Sequence, residues 1–109
     1  MSRVKSKAYS MLGLATRSRN LVSGEFSTDK AIKEGKACVV IVAEDASDNT
    51  KEKFINKCTY YDVPYRICAD GESLGKTIGK QERKVVAVTD EGLARQIMNK
   101  LDISKEMEV

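Results

Sequence analysis

The chain has 109 residues and 12.1 kDa, with 41% apolar and 32% charged residues and a formal net charge of +3. That is the size of one domain, long enough to bury a core without disulfides or metals and too well solvated to be fibrous. The longest uninterrupted apolar run, Ala37 to Ala43, falls far short of the roughly 20 residues a membrane helix needs, so no membrane partner is expected.

A first helix is predicted from about Ser2 to Ser18, with Val4, Ala8, Met11, Leu12 and Ala15 on one side. Leu21-Val22 is a short extended piece ended by Gly24. Ser27 or Thr28 then caps a second helix, with Asp29 in its first turn and Gly35 just past its end. The β-branched run Ala37 to Ala43 has the pattern of a central parallel strand buried on both faces. Ser47 or Asp48 opens a third helix with Phe54, Ile55, Cys58 and Tyr61 on its inner side, and Pro64 ends it. Tyr65 to Ala69 reads as a second core strand, Glu72 to Gly79 as a short fourth helix, and Lys84 to Thr89 as a further strand. Asp90 caps a last helix through Leu93, Ala94, Ile97, Met98 and Leu101. The order α-β-α-β-α-β-α-β-α predicts a three-layer α/β/α sandwich around a mixed, mainly parallel four-stranded sheet.

The chain contains no histidine. This removes the usual general base at neutral pH, the commonest zinc ligand and every Ser-His or Cys-His pair. Cys38, Cys58 and Cys68 form no C-x-x-C and read as reduced thiols packing as small hydrophobes in a cytoplasmic protein. No metal and no cofactor are expected. Gly71-Glu-Ser-Leu-Gly75-Lys76-Thr77 approaches the phosphate-binding pattern G-x-x-x-x-G-K-[ST], but its first glycine lies one residue too close to the second. Asp70 occupies the position that should be glycine, where its carboxylate would face the phosphates. Glu44, Asp45 and Asp48 could suggest a metal site, although acids are favoured near a helix N-terminus in any case. Tyr60 and Tyr61 could stack on bases or pack on the core.

Charge is unevenly spread. Residues 1–36 carry eight basic and three acidic groups, residues 37–70 four and six, and residues 71–109 seven of each. The first 24 residues hold no acid but include Arg3, Lys5, Lys7, Arg17 and Arg19. An acid-free amphipathic start also resembles a transit peptide, but its apolar stripe is one that a core would use. Lys76, Lys80, Arg83 and Lys84 form a second cluster, opposed only by Glu82. Two separated basic clusters on a chain of small net charge suit a local anionic partner such as a folded RNA.

The segment Gly24-x-x-x-Thr28-x-Lys30-x-Ile32-Lys33-x-Gly35-Lys36-Ala37, running into Val39 to Asp45, resembles the core of the L-seven-Ae ribosomal protein family. That family, with the related L-thirty-e proteins, recognises kink-turns in RNA. Val63-Pro64-Tyr65, Leu74-Gly75-x-x-x-Gly79-Lys80 and Val85-Val86-Ala87-Val88 continue the resemblance in order and spacing over roughly residues 8–101. Leu12-Gly13-Leu14-Ala15, Arg17, Val22-Ser23-Gly24-Glu25 and Tyr60-Tyr61 are similar to the short bacterial YlxQ-type branch. The resemblance implies one RNA-binding domain over residues 1–102, followed by a short acidic tail at 103–109.

In the family's site a Gly opens the turn before the second helix, an Asn and a Glu read sheared G·A pairs, and a Lys one turn later reaches the RNA. Gly24 and Lys30 match the first and last of these. Phe26 stands at the Asn position and Ser27 at the Glu position, so the polar groups that would pair base edges are gone. The family's apolar second loop is replaced by Lys80-Gln81-Glu82-Arg83-Lys84. The implied site is Gly24, Phe26, Ser27, Thr28, Lys30, Lys33, Lys76, Lys80, Arg83 and Lys84. Its backbone contacts survive and its base readout is altered, with Phe26 stacking on a base or packing under the loop. The reading is a non-enzymatic, monomeric, cytoplasmic protein binding structured RNA. Its partner would be ribosomal RNA, or another RNA near the ribosome, with ribosomal proteins as further candidates. The alternative is a protein-interaction module on the same fold that has lost kink-turn recognition.

Overall fold

The computed structural model describes residues 3–107, with side chains over residues 7–102. The sequence-predicted roles of Val4, Arg3 and Lys5, and the charge of the tail beyond Asp102, lie outside the described side chains. Five helices alternate with four strands: α1 (Arg3–Arg17), β1 (Leu21–Ser23), α2 (Glu25–Lys33), β2 (Val39–Val42), α3 (Asp48–Tyr61), β3 (Tyr65–Ile67), α4 (Gly71–Thr77), β4 (Val85–Val88) and α5 (Glu91–Met107). The sheet order is β1-β4-β2-β3.

The three layers and the mixed four-stranded sheet are those predicted, but the share of parallel pairing is smaller. Only β2 and β3 run parallel, while β4 lies antiparallel to both β1 and β2. A strand buried on both faces carries the same apolar run whichever way it points, so its pattern does not encode direction. Every residue of β2 and β4 is buried. Val39, Ile41, Val86 and Val88 face Ala8, Leu12, Leu74 and Ile97 from α1, α4 and α5. Val40, Val42, Val85 and Ala87 face Ile32, Phe54 and Cys58 from α2 and α3. Each Leu, Ile or Phe buried in this way contributes on the order of 1.5–3 kcal/mol. Burial pushes the Cys58 thiol up to about 11, which leaves it an inert core group.

Several local details differ from expectation. β3 is a sheet edge, half-buried, with Ile67 exposed, because no strand covers its outer side. Tyr61 is exposed rather than packed inward. The cap of α3 is one of the two predicted, the Ser47 hydroxyl accepting from the Thr50 N–H at 3.1 Å. By contrast, α4 starts at Gly71 with a cap not predicted from sequence, Asp70 Oδ1 accepting from the Ser73 N–H at 2.7 Å. Asp70 therefore caps a helix where the near-match would have needed a phosphate-cradling glycine. Among the described residues, no cluster of three His, Cys, Asp or Glu could hold a metal, and no helix is long and apolar enough to cross a membrane.

The stretch between α4 and β4 folds back over the short helix. The Lys80 N–H donates to the Gly75 carbonyl at 2.7 Å and the Arg83 N–H to the Gly71 carbonyl at 3.0 Å. Gly75 makes this possible: a β-carbon there would sit 2.0 Å from the Gln81 carbonyl oxygen. A backbone atom cannot rotate out of the way as a side chain can. Gly75→Ala should therefore displace the loop and cost about 1–3 kcal/mol by overpacking. A urea unfolding curve checks this, and an unchanged midpoint would show that the loop is free to move.

Candidate nucleic-acid interface

The antiparallel pairing of β1 with β4 sets Ser23 opposite Val86 and brings the start of α2 to the start of β4. The Gly24 N–H donates to the Val85 carbonyl at 2.9 Å. Gly24 has φ +91°, a left-handed conformation that glycine adopts without steric cost. It is the residue before the helix, so α2 starts three to four residues earlier than a Ser27 or Thr28 cap would give. Both lie within the helix. Gly24 carries no capping side chain, and the N–H groups of Glu25, Phe26 and Ser27 have no intrahelical acceptor, leaving the positive end of α2 open.

Across from this turn, Arg83 Nε donates to Ser23 Oγ at 3.3 Å, and its Nη1 donates to the Glu82 carbonyl at 3.0 Å. The guanidinium is thereby held beside the α2 turn. An open cleft of about 370 Å³ lies between them, bordered by Gly24, Phe26, Ser27, Arg83, Lys84 and Val85. Phe26 is 83% exposed, so the packed alternative for this ring is excluded. The face of the ring is open to solvent beside the cleft.

The remaining sequence-predicted residues divide. Lys30, Lys76 and Lys80 are exposed and make no ion pair among the described residues. Lys33 is held by Asp29 at 3.1 Å, and Lys57 holds the same carboxylate from α3. Thr28 is fully buried, so its side chain lines the underside of the turn and cannot reach a ligand in the cleft. Lys84 is turned to Asp45 at 2.9 Å and Glu82 at 3.3 Å. Ser23, and Asp45 as a partner of Lys84 rather than a metal ligand, were not apparent from sequence. Their roles depend on partners far along the chain, Arg83 for one and Lys84 for the other.

The scaffold and the site together decide the family. The profile of the Ribosomal protein L7Ae/L30e/S12e/Gadd45 family matches residues 6–98. The chain belongs to this family. Within it the chain is similar to the RNA-binding protein YlxQ of Bacillus subtilis, 47% identical over 94 residues, which span 86% of this chain and 94% of that one. It is also 41% identical over 93 residues to the RNA-binding protein YlxQ of Enterococcus faecium, covering 84% and 88%. These relatives place the chain in the YlxQ-type branch. A Bacillus halodurans protein of unknown function superposes with a TM-score of 0.86 at 40% identity, covering 88% of this chain and 97% of that one. The Giardia lamblia 15.5kD RNA binding protein superposes with a TM-score of 0.77 at 17% identity, covering 97% and 91%, a likeness of fold alone.

Within this L7Ae-type scaffold the acid–base state of the corner is set by Asp45. The Lys84 ammonium and then the Gly71 N–H, at 2.9 Å, hold its carboxyl below the usual carboxylate range. The same contact with Asp45 raises Lys84 above the usual lysine value. The folded carboxyl thus binds its proton less readily than the unfolded one. Its stabilisation is present above about pH 4 and is lost as the pH falls through the lower folded value. In Asp45→Asn that component is missing, so urea midpoints measured at about pH 7 and about pH 3 should lie closer together than in wild type. An unchanged gap would mean that the carboxyl titrates alike in both states.

Proposed function

We propose that the chain binds structured RNA, without catalysis, at the corner between α2 and β4, and that it takes a kink-turn or a related internal loop. The observation that carries the reading is the joining of the open α2 turn, the exposed Phe26 ring and the Arg83 guanidinium in one cleft. Helix N–H groups and guanidinium suit phosphate oxygens. The ring suits the face of an unpaired base, the kind that single-stranded loops and bulges offer. The names of the YlxQ relatives support RNA as the ligand class. Gly24 and Phe26 line the turn, with the Ser27 hydroxyl beside them. Lys30 on one side and Lys80 with Arg83 on the other neutralise backbone phosphates, while Lys33, Lys76 and Lys84 add charge at the margins. Thr28 supports the turn from beneath. The protein acts as a cytoplasmic monomer on the ribosome or its transcripts, where ribosomal proteins are neighbours.

Replacing Asn and Glu with Phe26 and Ser27 removes hydrogen bonds worth on the order of 1–3 kcal/mol per good bidentate pair. Stacking on Phe26 is worth about the same per base, so the substitution exchanges edge readout for face readout. The test is an anisotropy titration of an internal-loop RNA at two salt concentrations. Its control is the same RNA with the loop's G·A pairs converted to Watson–Crick pairs.

Phe26→Ala should weaken binding roughly five- to 150-fold, as expected for loss of one stacked base. Lys30→Glu combined with Arg83→Glu should weaken binding and lower the log–log salt slope by about 0.7–0.9 per lost phosphate contact. Asp45→Asn, which frees Lys84, should steepen that slope. RNA binding that ignores the lysine and arginine reversals would contradict the phosphate contacts assigned to Lys30 and Arg83. No binding of either RNA at low salt would overturn the proposal.

A further inference from the structure

The cations of this molecule are not equally available. Lys33, Lys57, Arg66 and Arg95 each reach a carboxylate on their own or a neighbouring helix. Arg17, Lys76 and Lys80 make no such pair among the described residues, and all three are exposed. Arg17 is far from the other two in sequence, yet α1 packs against α4, whose last turn carries Lys76. The loop carrying Lys80 is bonded back to Gly75. Next to Lys76, the Thr77 carbonyl faces Gly13 of α1, where a β-carbon would lie 3.4 Å both from that oxygen and from Arg17 Nη1. A β-carbon at that distance makes ordinary van der Waals contact, so Gly13 marks where α1, the Arg17 side chain and the end of α4 meet without itself being required there.

The result is a second polar groove, of about 320 Å³, bordered by Tyr9, Ser10, Gly13, Arg17 and Thr77. Arg17 supplies a planar fork, and Ser10 and Thr77 carry hydroxyls that can donate. This is the set of groups that contacts sugar–phosphate backbone and carries no base information. At its other end Tyr9 lies in the field of Asp70 and Glu44, whose charges repel an anion. A backbone therefore follows the groove from the Lys76–Lys80 side and stops short of Tyr9.

The geometry points to a phosphate-binding groove between α1 and α4 that holds the backbone of the RNA helix flanking the loop. It rests on the α2–β4 corner being the RNA site, and its failure is separable from failure of that site. The full chain is titrated with two RNAs that carry the same internal loop, one on minimal stems and one with a long flanking helix. Wild type should prefer the long RNA. Arg17→Gln should weaken it about fivefold on the long RNA and lower its salt slope by about 0.7–0.9, the effect of one lost phosphate contact. On the short RNA the change should stay within about twofold. Arg17→Lys should restore most of the salt slope. Thermal melting of each variant shows whether the fold persists. Equal loss on both RNAs, no loss on the long one, or no wild-type preference for the long one overturns the groove and leaves the corner standing. Failure of wild type to bind either RNA overturns both.

Discussion

Strand β4 runs between β1 and β2, antiparallel to each, and the proposed RNA-binding corner depends on that direction. Because β4 begins where β1 ends, the Val85 carbonyl can accept from the Gly24 N–H, and Arg83 and Lys84 arrive beside the first turn of α2. A parallel β4 would begin at the opposite end of β1 and leave the two basic segments apart. The hydrogen bond itself is modest, about 1 kcal/mol net. Its weight comes from the strand behind it, all four of whose residues are buried, so the corner is anchored to the core.

The second constraint is the packing of the loop over α4. Its close approach is permitted by the bare backbone at Gly75, and it places Lys80 and Arg83 at different points on one surface. Acidic partners then sort the lysines. Asp29 and Asp45 hold Lys33 and Lys84, while Lys30, Lys76 and Lys80 stay open. The corner is therefore a mixed patch, in which Arg83 stands beside Glu25 and Glu82 while Lys33 and Lys84 are already paired.

Much of this was legible in the sequence. The apolar stripe of α1, the two β-branched runs, the caps at Ser47 and Asp90, and the order of elements all follow from local periodicity and side-chain chemistry. Strand direction was not legible, since Val85 to Val88 is apolar throughout and carries no asymmetry to read. The start of α2 was misplaced because Ser27 and Thr28 have the side chains of caps. The backbone instead turns at Gly24, and Thr28 is drawn inward by packing. The exposure of Phe26 could not be read from its type, because a lone aromatic in a turn is more often core. The pairing states of Lys33 and Lys84, and the meeting of Arg17 with α4, depend on contacts between distant segments that no local pattern encodes. The family resemblance supplied the α2 site and its departures; the groove between α1 and α4 came from the fold alone.

The most direct measurement is amide chemical-shift mapping of the labelled protein as an internal-loop RNA is added at low salt. The account predicts the largest shifts at residues 24–30 and 80–85, continuing to Arg17 and Thr77 when the RNA carries a long flanking helix. Shifts confined to the outer faces of α3 and α5, or none at saturating RNA, would contradict it.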